Sequence, residues 1–119
     1  MLVETFEVAC KEKKLDANTV IPDCSCYPEE HRNALISQAK TFIVVDVLND
    51  GWQPKWGDNE YKWELYWDLS GAGFRLSDVF SDFSYSTVGS RLVFRTRAIA
   101  EHAAKYFEQL FKDWMTFNQ

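Results

Sequence analysis

Cys10, Cys24, Cys26 and His31 are the side chains best suited to holding a metal, as three thiolates and an imidazole on zinc. Their spacing argues against it, because Cys-x-Cys is tighter than the usual zinc knuckle and no second paired half-site follows. Small, partly buried thiols are expected, with no metal and no cofactor. Glu60 with Glu64 and Asp78 with Asp82 are the carboxylate pairs that glycosidase-like acid and base work would need. Lys62 stands between Glu60 and Glu64, which makes charge neutralisation the expected role. His31 and His102 fall on the polar sides of expected helices, where a surface imidazole outweighs a catalytic base. Asp46 lies in an otherwise apolar stretch and must find an ion partner or a strip facing solvent. A nucleophile elbow and a Gly-rich phosphate loop are both absent, and Gly71-Ala72-Gly73 reads as a turn, so no catalytic residue is assigned.

Two further groups could bind without reacting. Four of the five tryptophans lie between Trp52 and Trp67. From Tyr61 onward the large residues alternate with charged ones as in a half-buried strand, whereas Trp52 and Trp56 bracket Pro54 in a Gly-flanked loop. Large aromatics placed so either plug a core or meet a partner, and Trp52, Pro54 and Trp56 are the candidate contact residues. The expected geometry puts one indole under the helices and the other at least partly in solvent. Arg91, Arg95 and Arg97, with Arg75 and Lys62 alongside, form the concentrated basic patch and the candidate nucleic-acid edge. Pairing of Arg91 and Arg95 with Glu60 or Glu64 across a sheet would leave little for phosphates, so nucleic-acid binding is expected to be weak.

The elements that must position these groups are readable from periodicity. A short amphipathic helix is expected over 3–14, then a connection carrying Cys24 and Cys26, then a long helix from Pro28 to Asn49. Residues 42–48 are β-branched enough to form a strand, but twenty-odd residues without Gly or Pro, stopped by Asn49-Asp50-Gly51, favour helix. Its stripe is Leu35, Ala39, Phe42, Ile43, Asp46 and Val47, and being apolar nearly all round it should be the most buried helix. Three strands follow at 60–68, 73–79 and 90–95, the first two joined through 69–73. Trp63, Leu65 and Trp67 face inward, and Lys62, Glu64, Arg91 and Arg95 face outward. Thr96 then caps a C-terminal helix with Ile99, Ala103, Phe107, Leu110, Trp114 and Phe117 on one stripe. The expected fold is a single α+β domain, residues 1–119, in which N-terminal, central and C-terminal helices pack on a small antiparallel sheet of about three strands.

Composition bounds the setting. The chain has 119 residues, 46% hydrophobic and 16% aromatic, enough for a core without staples. Its net charge of −5 disfavours nonspecific adsorption to nucleic acid or membrane. Acids near the N-terminus stand where a secretory signal would carry a basic stretch, the longest apolar run is far short of the ~20 residues of a membrane span, and the odd cysteine count suggests no disulfide framework. A reducing cytoplasm is the expected location.

The order of Leu15-Asp16, Val20-Ile21-Pro22-Asp23, Pro28-Glu29-Glu30-His31, Asn49-Asp50-Gly51-Trp52-Gln53-Pro54-Lys55-Trp56, Tyr61-Lys62-Trp63, Gly71-Ala72-Gly73-Phe74 and Gly89-Ser90-Arg91-Leu92 resembles a group of small proteins encoded by phages and prophages of Bacteroides-type gut bacteria. The resemblance covers nearly the whole chain, and its Asn-Asp-Gly-Trp-x-Pro-x-Trp and Gly-Ser-Arg-Leu elements are fairly specific. Cys24 and Cys26 depart from it. It implies a bacterial cytoplasmic setting and a mobile-element origin, and carries over no activity. The function expected is a phage-related accessory protein that binds another macromolecule without catalysis, with counter-defence binding to a host protein as one concrete form. The alternative is a nucleic-acid-binding module using Arg91, Arg95 and Arg97, and a small enzyme ranks third.

Overall fold

A computed structural model describes residues 2–70 and 73–117. Its elements run α1 (Phe6–Glu12), α2 (Glu29–Leu48), β1 (Lys62–Asp68), β2 (Arg75–Asp82) and α3 (Arg97–Met115). The class is α+β, and no described helix is long and apolar enough to cross a membrane. Part of the expected turn between the first two strands, Gly71-Ala72, lies outside the described residues.

Helix ends follow local chemistry. Thr5 and Thr96 each adopt extended backbone, and each hydroxyl accepts from the amide three residues on, of Val8 and Ile99. α2 ends one residue before Asn49. Asp50 takes a left-handed conformation with φ of 52°, its N–H donates to Val47 O and the N–H of Gly51 to Asp46 O, both at 3.0 Å. Two reversed bonds of this kind satisfy carbonyls that the helix end would otherwise leave bare. The turn aims the tryptophan loop back along the last turns of α2.

One core cluster draws on every element, with Phe6 and Ala9 of α1, Val44, Val45 and Leu48 of α2, Leu65, Val79, and the alanines and Phe107 and Phe111 of α3. α2 packs on both α1 and α3, and α3 also covers the sheet. The buried line of α2 is Ser37, Thr41, Val44, Val45 and Leu48, not the expected stripe through Phe42, Ile43 and Asp46, which is half-buried. A helix apolar nearly all round has no strong preferred face, and close packing against α3 selects the line where small residues allow it. Thr41 fits this line by donating its hydroxyl back to Ser37 O at 2.8 Å. α3 carries a non-helical residue at Phe107, and its buried line is Ala100, Ala103, Ala104, Phe107 and Phe111. Phe117, expected on the stripe, is exposed.

The sheet has two strands where about three were expected. β1 and β2 pair antiparallel from Lys62↔Asp82 to Asp68↔Arg75, with a bulge at Ser77. Residues 90–95 contribute one bridging pair, Trp63 with Phe94, whose N–H groups and carbonyls exchange bonds of 2.9 and 2.8 Å. Towards β1 the ladder stops because residues 89–92 form a turn in which Leu92 N–H donates to Gly89 O at 3.2 Å, and the opposite side of the segment is closed by Asn49. Its Nδ2 donates to Val93 O at 2.9 Å and its Oδ1 accepts from Arg95 N at 3.0 Å. In extended backbone those two groups point away from the side used by Phe94, so the carboxamide occupies the place a neighbouring peptide would take.

Trp63, Leu65 and Trp67 do pack inward, Trp67 stacking on Phe74 with centroids 4.6 Å apart. The opposite face is not an open charge ladder. Lys62 and Glu64 are each only 1% exposed, covered by the loops before β1 and after β2. Lys62 Nζ donates to Asp58 Oδ1 at 2.6 Å and to Phe83 O at 3.3 Å. Glu64 Oε1 accepts from the amide and hydroxyl of Thr87, at 3.1 and 2.6 Å, while Oε2 is buried with no partner among the described residues.

The Lys62 pair carries an asymmetric prediction. Lys62→Met removes a buried ammonium whose solvation cost offsets its attraction, and is expected to change stability by no more than about 1 kcal/mol. Asp58→Asn strands the ammonium and should cost clearly more, and urea unfolding of both variants gives the comparison. The Lys62 ammonium and the Glu60 amide hold the Asp58 carboxyl below the usual carboxylate range. A carboxyl depressed on folding adds stability that is present above its ordinary value near pH ~4 and disappears as pH falls through the folded value. Asp23, Asp68 and Asp82 are depressed too, so the Asp58 share is the part of the acid sensitivity that Asp58→Asn removes.

Candidate functional site

The turn that ends α2 sets the tryptophan loop against that helix and leaves an open groove of about 570 Å³ between them. One wall is the outer side of the last α2 turns, with Phe42, Ile43 and Asp46. Trp52, Gln53 and Pro54 form the other, and Ser90 and Arg91 close one side. The volume lies in the range of ligand-sized clefts, and the lining mixes rings with a few polar groups, as such clefts do. Asn49 sits at the base, 3% exposed, and its bonds to residues 93 and 95 tie the stretch bearing Arg91 to the end of α2.

The two loop tryptophans divide their roles differently from expectation. Neither joins the core cluster, so the expected indole packed under the helices is absent. Trp52 is half-buried and lines the groove. Trp56 is 37% exposed, gives its indole N–H to Ser90 Oγ at 2.7 Å, and takes the Lys62 ammonium over its ring at 5.1 Å. That makes Trp56 a strut fixing the loop to residue 90. The contacts with Ser90 and the buried Lys62 hold the ring outside the core cluster. Trp52 and Pro54, both singled out from the sequence, therefore share one cleft, and Trp56 braces it.

The five cations of the candidate nucleic-acid edge are not gathered. Lys62 is buried against Asp58, Arg75 meets Asp68 at 3.4 Å, and Arg97 meets Glu101 through Nε at 3.1 Å, with Nη1 donating to Val79 O at 3.4 Å. Arg91 and Arg95 are exposed and have no carboxylate within 4.0 Å among the described residues, so the expected pairing with Glu60 or Glu64 does not occur. Residues 90–95 leave β1 after one bridging pair, and Glu64 lies beneath the Thr87 loop. Arg91 instead places its guanidinium 6.0 Å from the Phe42 ring, in the tryptophan groove.

Asp46 is the other charge in the cleft, half-exposed and ion-paired to Lys13. Both explanations weighed for it from the sequence, an ion pair and a solvent-facing strip, therefore apply. The thiols and imidazoles stand apart from this cleft. Cys10 and Cys24 are buried, Cys26 is exposed, and burial pushes the Cys10 thiol up. Among the described residues no three His, Cys, Asp or Glu side chains are placed to hold a metal. His102 Nε2 lies 2.7 Å from Val3 O, and His31 lies against Phe117.

Sequence reasoning missed Phe42, Asn49 and Ser90 as parts of the site. Phe42 carried only a core signal, and Asn49 looked like a helix stop. The available cue was the adjacency of Asn49 to the tryptophan loop, since a helix ending there must turn the loop back on its own side. Comparison of the chain with models of known protein families, with curated protein sequences and with solved structures finds no match in any of the three.

Proposed function

We propose that this protein is a non-catalytic interaction module that holds another macromolecule in the groove between α2 and the Trp52–Pro54 loop. The observation that carries this reading is the position of Trp52, a large ring kept out of the core and presented along a preformed cleft by a braced loop. A half-covered indole beside an exposed arginine is the composition of an interface anchor. The mobile-element origin implied by the motif resemblance fits an accessory role in the bacterial cytoplasm, with counter-defence binding to a host protein as one form. The free thiols accord with a reducing compartment.

Affinity capture from a Bacteroides-type host lysate with the wild type and Trp52→Ala, read by mass spectrometry, tests the proposal. The expected result is a specific partner lost from Trp52→Ala, a change of at least about tenfold, as for an interface hot spot. Trp52→Ala should leave the fold intact because the ring lies outside the core cluster. Retention of every partner by a folded Trp52→Ala chain sinks the reading.

A further inference from the structure

We infer that the groove's occupant is a linear acidic segment of a partner protein, with a carboxylate close in sequence to a bulky apolar side chain. This rests on the reading of the groove as an interaction site and adds the chemistry of what it takes. Charge is the first argument. Two ionisable side chains line the groove, Asp46 and Arg91, and Asp46 is already neutralised by Lys13. Arg91 has no acid of its own among the described residues, so the cleft is locally cationic on a chain of net charge −5. A guanidinium resting toward the Phe42 ring, 6.0 Å away, still offers its planar fork to a carboxylate, which it can bind through two parallel hydrogen bonds.

Shape and composition supply the second argument. Phe42 and Ile43 face Trp52 and Pro54 across the cleft, an apolar slot beside the cation, and about 570 Å³ suits a short run of side chains. A nucleic-acid strand fits less well. Its affinity grows with the number of phosphates neutralised, and Lys62, Arg75 and Arg97 are already committed to Asp58, Asp68 and Glu101.

The test uses the full chain and fluorescein-labelled octapeptides in three matched sets, each with one central Leu, Phe or Trp flanked by Asp and Glu, by Asn and Gln, or by Lys. A dodecamer of single-stranded thymidylate serves as a fourth probe. Binding is followed by anisotropy at physiological salt. The acidic set should bind most tightly, Arg91→Gln should weaken it on the order of tenfold, and Arg91→Glu should shift preference to the Lys set. Arg91 is exposed, so both variants should keep the wild-type circular dichroism and melting behaviour. Equal binding of the acidic and amide sets, an acidic-set affinity indifferent to Arg91, absence of binding by every peptide set, or tighter Arg91-dependent binding of the oligonucleotide would each overturn the inference. If Trp52→Ala loses a captured partner while the acidic set shows no advantage, the interaction reading stands and the acidic segment alone is wrong.

Discussion

Phe94→Ala is expected to lower the free energy of unfolding by about 3–5 kcal/mol, the range for emptying a fully enclosed phenylalanine site. Phe94 is 0% exposed and belongs to the core cluster with Leu65, Leu92 and the alanine face of α3. Its backbone makes a single bridging pair with Trp63, so residues 91–95 lack the ladder that would hold a true third strand in place. The side chain therefore anchors the segment together with the Asn49 carboxamide. Against a domain stability of roughly 5–15 kcal/mol, the variant would stand near the edge of folding. Urea unfolding followed by tryptophan fluorescence measures it. A loss below about 1.5 kcal/mol would mean that the site collapses around alanine and that the ring is not the anchor.

Asn49→Ala should cost about 2–4 kcal/mol, because it leaves the buried Val93 O and the part-buried Arg95 N without partners, the first worth roughly 1–3 kcal/mol and the second less because water reaches it. Val93 O loses its donor and Arg95 N its acceptor. Asn49→Asp is a sharper probe. It keeps an oxygen for Arg95 N but brings a second acceptor toward Val93 O, so it should also destabilise although the side chain is nearly isosteric. Hydrogen exchange separates local from global effects. The Arg95 amide should lose protection in Asn49→Ala before the amides of α3 do, whereas uniform loss across the chain would assign Asn49 no special hold on this segment.

The helices were legible because they are announced by groups that act locally. Thr96 caps α3 as its hydroxyl requires, and Pro28 and Asn49 bound α2 within a residue of the expected limits. The third strand was not legible, since Leu92 and Phe94 are spaced as strand residues are, yet Val93 between them is buried as well, so both sides of the segment are covered. What the pattern could not reveal is that a turn takes the Leu92 N–H for Gly89 O, and that a side chain 44 positions from Val93 covers its outer carbonyl. The same distance problem hid the coverage of Lys62 and Glu64. Charged residues on one strand face read as solvent-facing unless the loops that fold over them are known, and those loops are held by Asp58 and Thr87. Trp52 and Pro54 were found as candidates because large rings that follow no strand or helix period flank a proline in a Gly-bounded loop. Arg91 was found for a different reason, as part of a basic run, and only the fold unites it with them.

The carboxamide of Asn49 also bears on self-association. Bare strand edges invite further strands, and that is the route to fibrous aggregates. Beyond Phe94 the outward peptide groups that an incoming chain would need are already taken by one side-chain amide, so this border cannot be extended. The remaining border is β2, where the bulge at Ser77 breaks the hydrogen-bond spacing and Arg75, Asp78 and Asp82 would set charges against an added strand. A sheet so small could be left unshielded at both borders. Here a single asparagine closes one, and its loss would open a templating surface in a chain already loosened, so Asn49→Ala protein should aggregate on heating at concentrations where the parent chain stays dispersed.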